Sequence, residues 1–325
     1  MELVVSNQTN QVIEDSKIVN TSKTKFIEAN TIEVSLSHLK EDCIIPVFAK
    51  DNETTISHTE FILAVKDALH SILGNNVELV PNIRVSHGIK GRIPSAIGKP
   101  AKELLEHEKT IYYERMAFVF EIPEISEVIN GNRINLCVGG VRAYNQENLF
   151  TKKSIEKFKI FIGFQNTVCT NLCISTDGLL NDLRVSSTLE LKEKVFELVK
   201  SYDRTSHLNS MRAMLNYSIE EEQFARLIGK MKMYNYQSKE VKKNLFPLAI
   251  TDTQINSIVK DYHNDVDFMK EDDGTINLWN LYNLFTEANK STYIDLNLER
   301  NVNAHDFINH LSKSLETNSY NWYTY

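Results

Sequence analysis

The chain has 325 residues, a formal net charge of −7 and 42% apolar residues. That is enough to close a sizeable core in one large domain or two ordinary ones. The acidic balance excludes a global field toward DNA or an anionic membrane, and no apolar run approaches the ~20 residues of a membrane helix.

Residues 1–30 are rich in Asn, Gln, Thr and Ser with little periodicity and read as a disordered or loosely attached arm. Their start lacks the basic-then-apolar pattern of a signal peptide, so a cytoplasmic protein is expected. IEVSLSHL and CIIPVFA suggest short extended segments. Ser57 and Glu60 make a capping box, and Phe61, Ala64, Val65 and Leu69 follow at helical spacing. That helix should stop near Gly74.

Residues 79–102, LVPNIRVSHGIKGRIPSAIGKPAK, hold no acid but three prolines and three glycines. This reads as a basic Gly/Pro-rich loop carrying Arg84, His87, Lys90, Arg92, Lys99 and Lys102. KPAKELLEHEK suggests a short helix after it. IYYERMAFVFEIP and INGNRINLCVGGVRAY then read as strands joined at Asn130-Gly131, a strong hairpin signal. Gly139-Gly140 marks a bulge or a close backbone approach. FKIFIGFQN and TVCTNLCIS add two strands. Residues 110–175 thus form an antiparallel sheet of about four or more strands.

From Ser187 the pattern is helical. Ser187 with Glu190, Ser218 with Glu221, and Thr251 with Gln254 are capping boxes. Ile255, Ile258, Val259 and Tyr262 form an apolar stripe. Leu278, Leu281, Tyr282 and Phe285 form another, as do Ala304, Phe307, Ile308 and Leu311. The fold class is α+β. The division is an arm over 1–30, an α+β domain over 31–186 and a helical part over 187–325 packed with it as one body.

Charge is uneven. Residues 81–160 hold 13 basic and 9 acidic groups, whereas residues 1–80 hold 6 and 12 and residues 161–325 hold 17 and 22. Arg133, Arg142, Lys152, Lys153, Lys157 and Lys159 extend the basic character onto the sheet, interleaved with Tyr112, Tyr113, Tyr144 and Phe150. Cations with exposed aromatics suit single-stranded nucleic acid. The plain alternative is that the cations pair with acids of the same chain and the aromatics are core.

Enzyme motifs are absent: no P-loop, no GxGxxG and no GxSxG. His107-Glu108 starts an HExxH that ends in Ile111. Residues 269–280 fail a calcium loop at Met269 and Asn280. Gly88-Ile89-Lys90-Gly91 matches a GxxG clamp but lacks flanking helices. Asp261, His263, Asp265 and Asp267 read as a solvated helix end. Cys43, Cys137, Cys169 and Cys173 fit neither a zinc knuckle nor a disulfide framework and read as free thiols. No metal or cofactor is expected.

Several segments closely resemble a Bacteroidetes family, domain-of-unknown-function family 3871. They are SHTEFI at 57–62, VSHGIKGRIPSAIGKPAKELLEHEKT, ERMAFVFEIP, INGNRINLCVGGVRAYNQENL, FIGFQNTVCTNLCISTDG and INLWNLYNLFTEANKSTYID. Val168–Asn171 and Asn280–Ala288 also resemble a wider group of phage- and plasmid-type proteins. The resemblance implies a bacterial origin, often on mobile elements, and carries no activity, ligand or catalytic residue. The expectation is a non-catalytic nucleic-acid-binding protein using Arg84, His87, Lys90, Arg92, Lys99, Lys102, Arg133 and Arg142. One rival is a protein-interaction or regulatory module whose basic loop meets an acidic partner. Another is an enzyme built on scattered residues such as His87, Arg92, Glu114 and Arg142.

Overall fold

The computed structural model of the chain describes residues 25–43, 56–96, 98–144 and 155–325. β1 (Ile32–Glu33) and α1 (Leu36–Glu41) come first, then α2 (His58–Leu73). Only two residues of IEVSLSHL are extended, because Ser35 accepts from the His38 N–H and starts α1. CIIPVFA lies, beyond Cys43, outside the described residues, as does the arm up to residue 24. From Phe26 the chain is docked: Phe26 and Ile27 are buried, and the Glu28 N–H donates to the Lys290 carbonyl.

The expected helix from Ser57 is α2. Its capping box is closed in both directions and it ends at Gly74, with φ 90°. Next come β2 (Pro81–Arg92), two tight helical turns at Ala101–Glu103 and Glu106–Glu108, β3 (Lys109–Ile129) and β4 (Asn132–Ala143). β5 (Glu156–Asn166), β6 (Leu172–Cys173) and β7 (Leu179–Val185) complete one seven-stranded sheet, ordered β1-β2-β3-β4-β5-β6 with β7 also on β5. Every pairing among them is antiparallel. The reading of 79–102 as one loop is corrected here. Its first half is β2, which hydrogen-bonds along its length to β3. Gly88 and Gly91 are tolerated because ladder bonds need no side chain.

Asn130 and Gly131, at φ 49° and 76°, make the turn between β3 and β4. Positive φ at both positions matches the twist of the flanking strands. Gly140 has no side chain because Phe61 of α2 and the Lys159 carbonyl occupy that space. The close approach expected at Gly139-Gly140 is thus a seat for α2. One sheet face packs Phe118, Phe120, Phe158 and Ile160 into the main core with α2. The other packs Ala117, Val119, Val141 and Phe161 against Phe26, Ile27, Ile294 and Leu298.

The helical half contains α3 (Thr188–Ser201), α4 (Arg204–Ala213), β8 (Ser218–Ile219), α5 (Glu221–Tyr234), α6 (Lys239–Lys242) and α7 (Asp252–Asn264). β9 (Ile276–Asn277), α8 (Leu278–Asn289) and α9 (Ile294–Glu316) follow. Thr251 and Gln254 cap α7 as expected. Ser187 caps α3, but the Glu190 carboxylate turns to the Ser186 N–H. Ser218 caps nothing. It pairs with Asn277 in the small β8–β9 sheet, and the Gln223 side chain accepts from the Glu220 N–H at the start of α5. α8 is buried on nearly every side, including Asn280, Asn283 and Asn289.

Candidate nucleic-acid interface

β2 sits near one edge of the sheet, with only the two-residue β1 beyond it. Ile83 and Val85 enter the main core. Arg84 points to the opposite face and is only 2% exposed. It donates from Nη2 to the Thr31 carbonyl at 2.8 Å and from Nε to Thr31 Oγ1 at 3.1 Å, with Glu33 at 3.7 Å. Arg84 is therefore an internal tie, out of reach of a phosphate.

From His87 to Lys90 the strand is exposed. His87 has φ 57° inside a paired strand, a left-handed setting that costs about 1–2 kcal/mol for a residue with a Cβ. Its Nδ1 lies 3.0 Å from Ser86 Oγ. Lys90 and Lys102 are exposed and have no ion-pair partner among the described residues. Arg92 donates to the Lys99 carbonyl, and the Lys99 ammonium pairs with Glu108. Lys99 and the Leu105 N–H hold the Glu108 carboxyl below the usual range. These bonds tie Arg92, Lys99, Leu105 and Glu108 together at a corner of the sheet edge.

Arg133 is exposed but braced. It donates to Asn135 Oδ1 at 3.1 Å and to the Pro123 carbonyl at 2.9 Å, across a register shift in β3 between Ile122 and Ser126. Arg142 is 0% exposed. Its Nη2 meets Glu156 Oε2 at 2.6 Å, its Nη1 donates to the Ile56 carbonyl, and its guanidinium lies 4.6 and 4.5 Å from the Tyr144 and Phe158 ring centres. Lys159, also buried, meets Glu299 at 2.8 Å and the Asp295 carbonyl at 2.6 Å. Arg142 is thus corrected from surface to core. Tyr112, Tyr113 and Tyr144 are buried, in line with the reading of these aromatics as core; Phe150, Lys152 and Lys153 lie outside the described residues.

Another aromatic takes their place. Tyr293, 53% exposed, stands at the N-cap of α9. Its ring centre lies 6.4 Å from that of His87 and 5.7 Å from the Arg115 guanidinium carbon. Arg115 also faces Asp295 at 3.9 Å. Tyrosine is a poor N-cap, and this one makes no side-chain capping bond. Two locally unfavourable residues, His87 and Tyr293, are therefore neighbours on one exposed surface, as strained positions at functional sites tend to be. Sequence reading missed Tyr293 and Arg115. The available signal was a tyrosine where Ser, Thr, Asp or Asn would start a helix.

Other clusters of chemistry-bearing groups lie around His305, whose Nε2 is 2.9 Å from Ser210 Oγ and whose Nδ1 is 3.4 Å from Asp306 Oδ1, and around His38. His38 bridges Asp42 at 2.8 Å and the Tyr113 hydroxyl at 3.0 Å, with Cys43 Sγ at 3.8 Å. Burial, then the Asp42 charge, push the Cys43 thiol up to about 12, so it stays protonated. Burial likewise pushes Cys169 and Cys173 up to about 12. Among the described residues no three His, Cys, Asp or Glu side chains are placed to hold a metal ion. A shallow groove of about 530 Å³ runs between β7 and α3, floored by Leu180 and Leu198. The register shift of β7 on β5 and the charged Asp182 and Arg184 blunt that edge against a further strand.

The end of β5, the turn after it and α8 meet in the interior. Asn171 Nδ2 donates to the Asn283 carbonyl at 3.1 Å, and Asn166 Nδ2 reaches Asn283 Oδ1 at 3.4 Å. Lys290 pairs with Glu287 at 2.7 Å and donates to the Cys169 carbonyl. This buried seam joins sheet to helices.

Fold and surface together define an α+β chain with an antiparallel sheet, a helical second half and an exposed tyrosine beside His87 and Arg115. The chain belongs to the family described as "Domain of unknown function, B. Theta Gene description (DUF3871)", which matches residues 6–324. No curated protein and no solved structure matches it.

Proposed function

We propose that the chain binds single-stranded nucleic acid without catalysis, through the surface offered by β2, Lys99, Lys102 and the start of α9. The observation that carries this reading is the exposed Tyr293 ring flanked by His87 and Arg115. A base stacks on such a ring whatever its identity, and cations alongside follow the phosphates. Lys90, Arg92 and Lys102 supply those cations; Arg84 and Arg142 do not. Nucleic-acid handling on a bacterial mobile element, in the cytoplasm, is part of this proposal.

The test is fluorescence anisotropy with labelled oligothymidylate over a salt series. Tyr293→Ala should weaken binding by roughly 5- to 150-fold, the range of one lost base stack, while Tyr293→Phe retains it. Lys90→Ala with Lys102→Ala should lower the log–log salt slope by about 1.4. A wild type that ignores single strands at low salt, or a Tyr293→Ala protein that binds like wild type, refutes this site.

A further inference from the structure

A second basic surface lies in the helical half. Residues 226–243 carry six basic residues and one acid inside a region whose total is acidic. Arg226 is taken up by Glu222. Lys230 and Lys242 lie on aromatic rings, 4.7 Å from the centre of Trp322 and 5.0 Å from that of Tyr234. Lys232, Lys239 and Lys243 are exposed and have no ion-pair partner among the described residues.

Aromatic rings interleave with these lysines. Tyr236, just past α5, is 83% exposed. Residues 320–325 come alongside: Trp322 meets Lys230, and the ring centre of Tyr323 is 6.2 Å from that of Tyr234. Tyr320 and Tyr325, in that same segment, are both exposed, with ring centres 5.2 Å apart. Tyr236 stands in solvent with the exposed Lys232 and Lys239 within four residues of it on either side.

We infer that this surface of α5, α6 and residues 320–325 is itself a binding surface for single-stranded nucleic acid. Rings in solvent offer stacking planes, and lysines at several points around them follow a flexible phosphate chain. A duplex keeps its bases stacked inside, so it would use the lysines and leave the rings idle. A membrane would bury the rings and require an anionic headgroup layer. The inference stands on its own residues and does not need the Tyr293 corner.

The experiment uses the full chain as wild type, Lys232→Ala/Lys239→Ala/Lys243→Ala, Tyr236→Ala and Tyr236→Phe. Each is titrated with labelled oligothymidylate across salt, beside Tyr293→Ala. The triple variant should lower the log–log slope by about 2, at roughly 0.7 per lysine. Tyr236→Ala should weaken binding roughly 5- to 150-fold, and Tyr236→Phe should not. All these positions are exposed, so the melting temperature should hold. If Tyr293→Ala loses affinity while the triple and Tyr236 variants match wild type, the second surface is refuted and the first stands. If only the helical variants lose affinity, the reverse holds. Loss of binding to phosphatidylserine vesicles in these variants, with oligothymidylate binding intact, would make it a lipid surface and overturn the inference.

Discussion

The two halves of the basic stretch use the same residue types in opposite ways. Arg84 and, further along the sheet, Arg142 and Lys159 are buried against Thr31, Glu156 and Glu299. Lys90 and Lys102 stand in solvent with no such partner among the described residues. A count of basic residues therefore says little about a binding surface. What matters is which cations the chain's own acids reach first. Those acids lie on β1, β5 and α9, from 14 to 140 residues away along the chain.

The sharpest way to break the comparison is at Arg142. Arg142→Ala leaves Glu156 buried without its cation and should cost about 3–5 kcal/mol, read as a shift of the urea midpoint. Arg142→Met with Glu156→Leu should recover only part of that, because it removes two desolvated charges but leaves the Ile56 N–H and carbonyl without their partners. A single variant as stable as wild type would mean that this guanidinium is not an internal tie.

Acid comes next. Burial, then the Arg142 charge, push His58 down to about 3, and burial with the His305 charge holds His207 well below the usual range. Both are neutral when folded, while the unfolded chain takes up protons below about 6.5. Their contribution is thus complete above about pH 6.5. It is lost as pH falls, by roughly 1.4 kcal/mol for each histidine per pH unit, until His58 itself titrates near 3. Urea midpoints at pH 6 and pH 5 measure it, and His58→Gln should flatten the fall.

A smaller effect is expected at Gly140. Gly140→Ala pushes a methyl group into the Phe61 ring and the Lys159 carbonyl and should cost about 1–3 kcal/mol, as overpacking does. Oligonucleotide binding should not change. The smallest effect on stability belongs to Lys90→Ala and Lys102→Ala, each within about 0.5 kcal/mol of wild type. These two should still alter the salt dependence of binding, which Arg142→Met with Glu156→Leu should leave alone.

Much of the fold was legible because its signals are local. The Asn130-Gly131 turn, the capping boxes at Ser57 and Thr251 and the stripes of α7, α8 and α9 each lie within a few residues. β2 was misread because glycine and proline counts describe a loop, whereas its ladder partner, β3, begins only after the intervening turns. The site was less legible still. Tyr293 meets His87 across some two hundred residues of chain, and the lysines of α5 and α6 vanish in an average over the acidic second half.

α8 carries one last consequence, for how the molecule can be assembled. Its Asn283 and Trp279 bond to Asn166, Asn171 and Asn132, across 112 to 147 residues of sequence. Contacts so distant form late, after long loops have closed. As the chain leaves the ribosome, the sheet is complete long before α8 exists, and its polar seam waits open. A fragment cut at residue 186 would keep every strand of the sheet and still lack the helix that seals it. Such a fragment should be sticky and short-lived in solution, and a separately supplied second half should rescue it only by arriving before it aggregates.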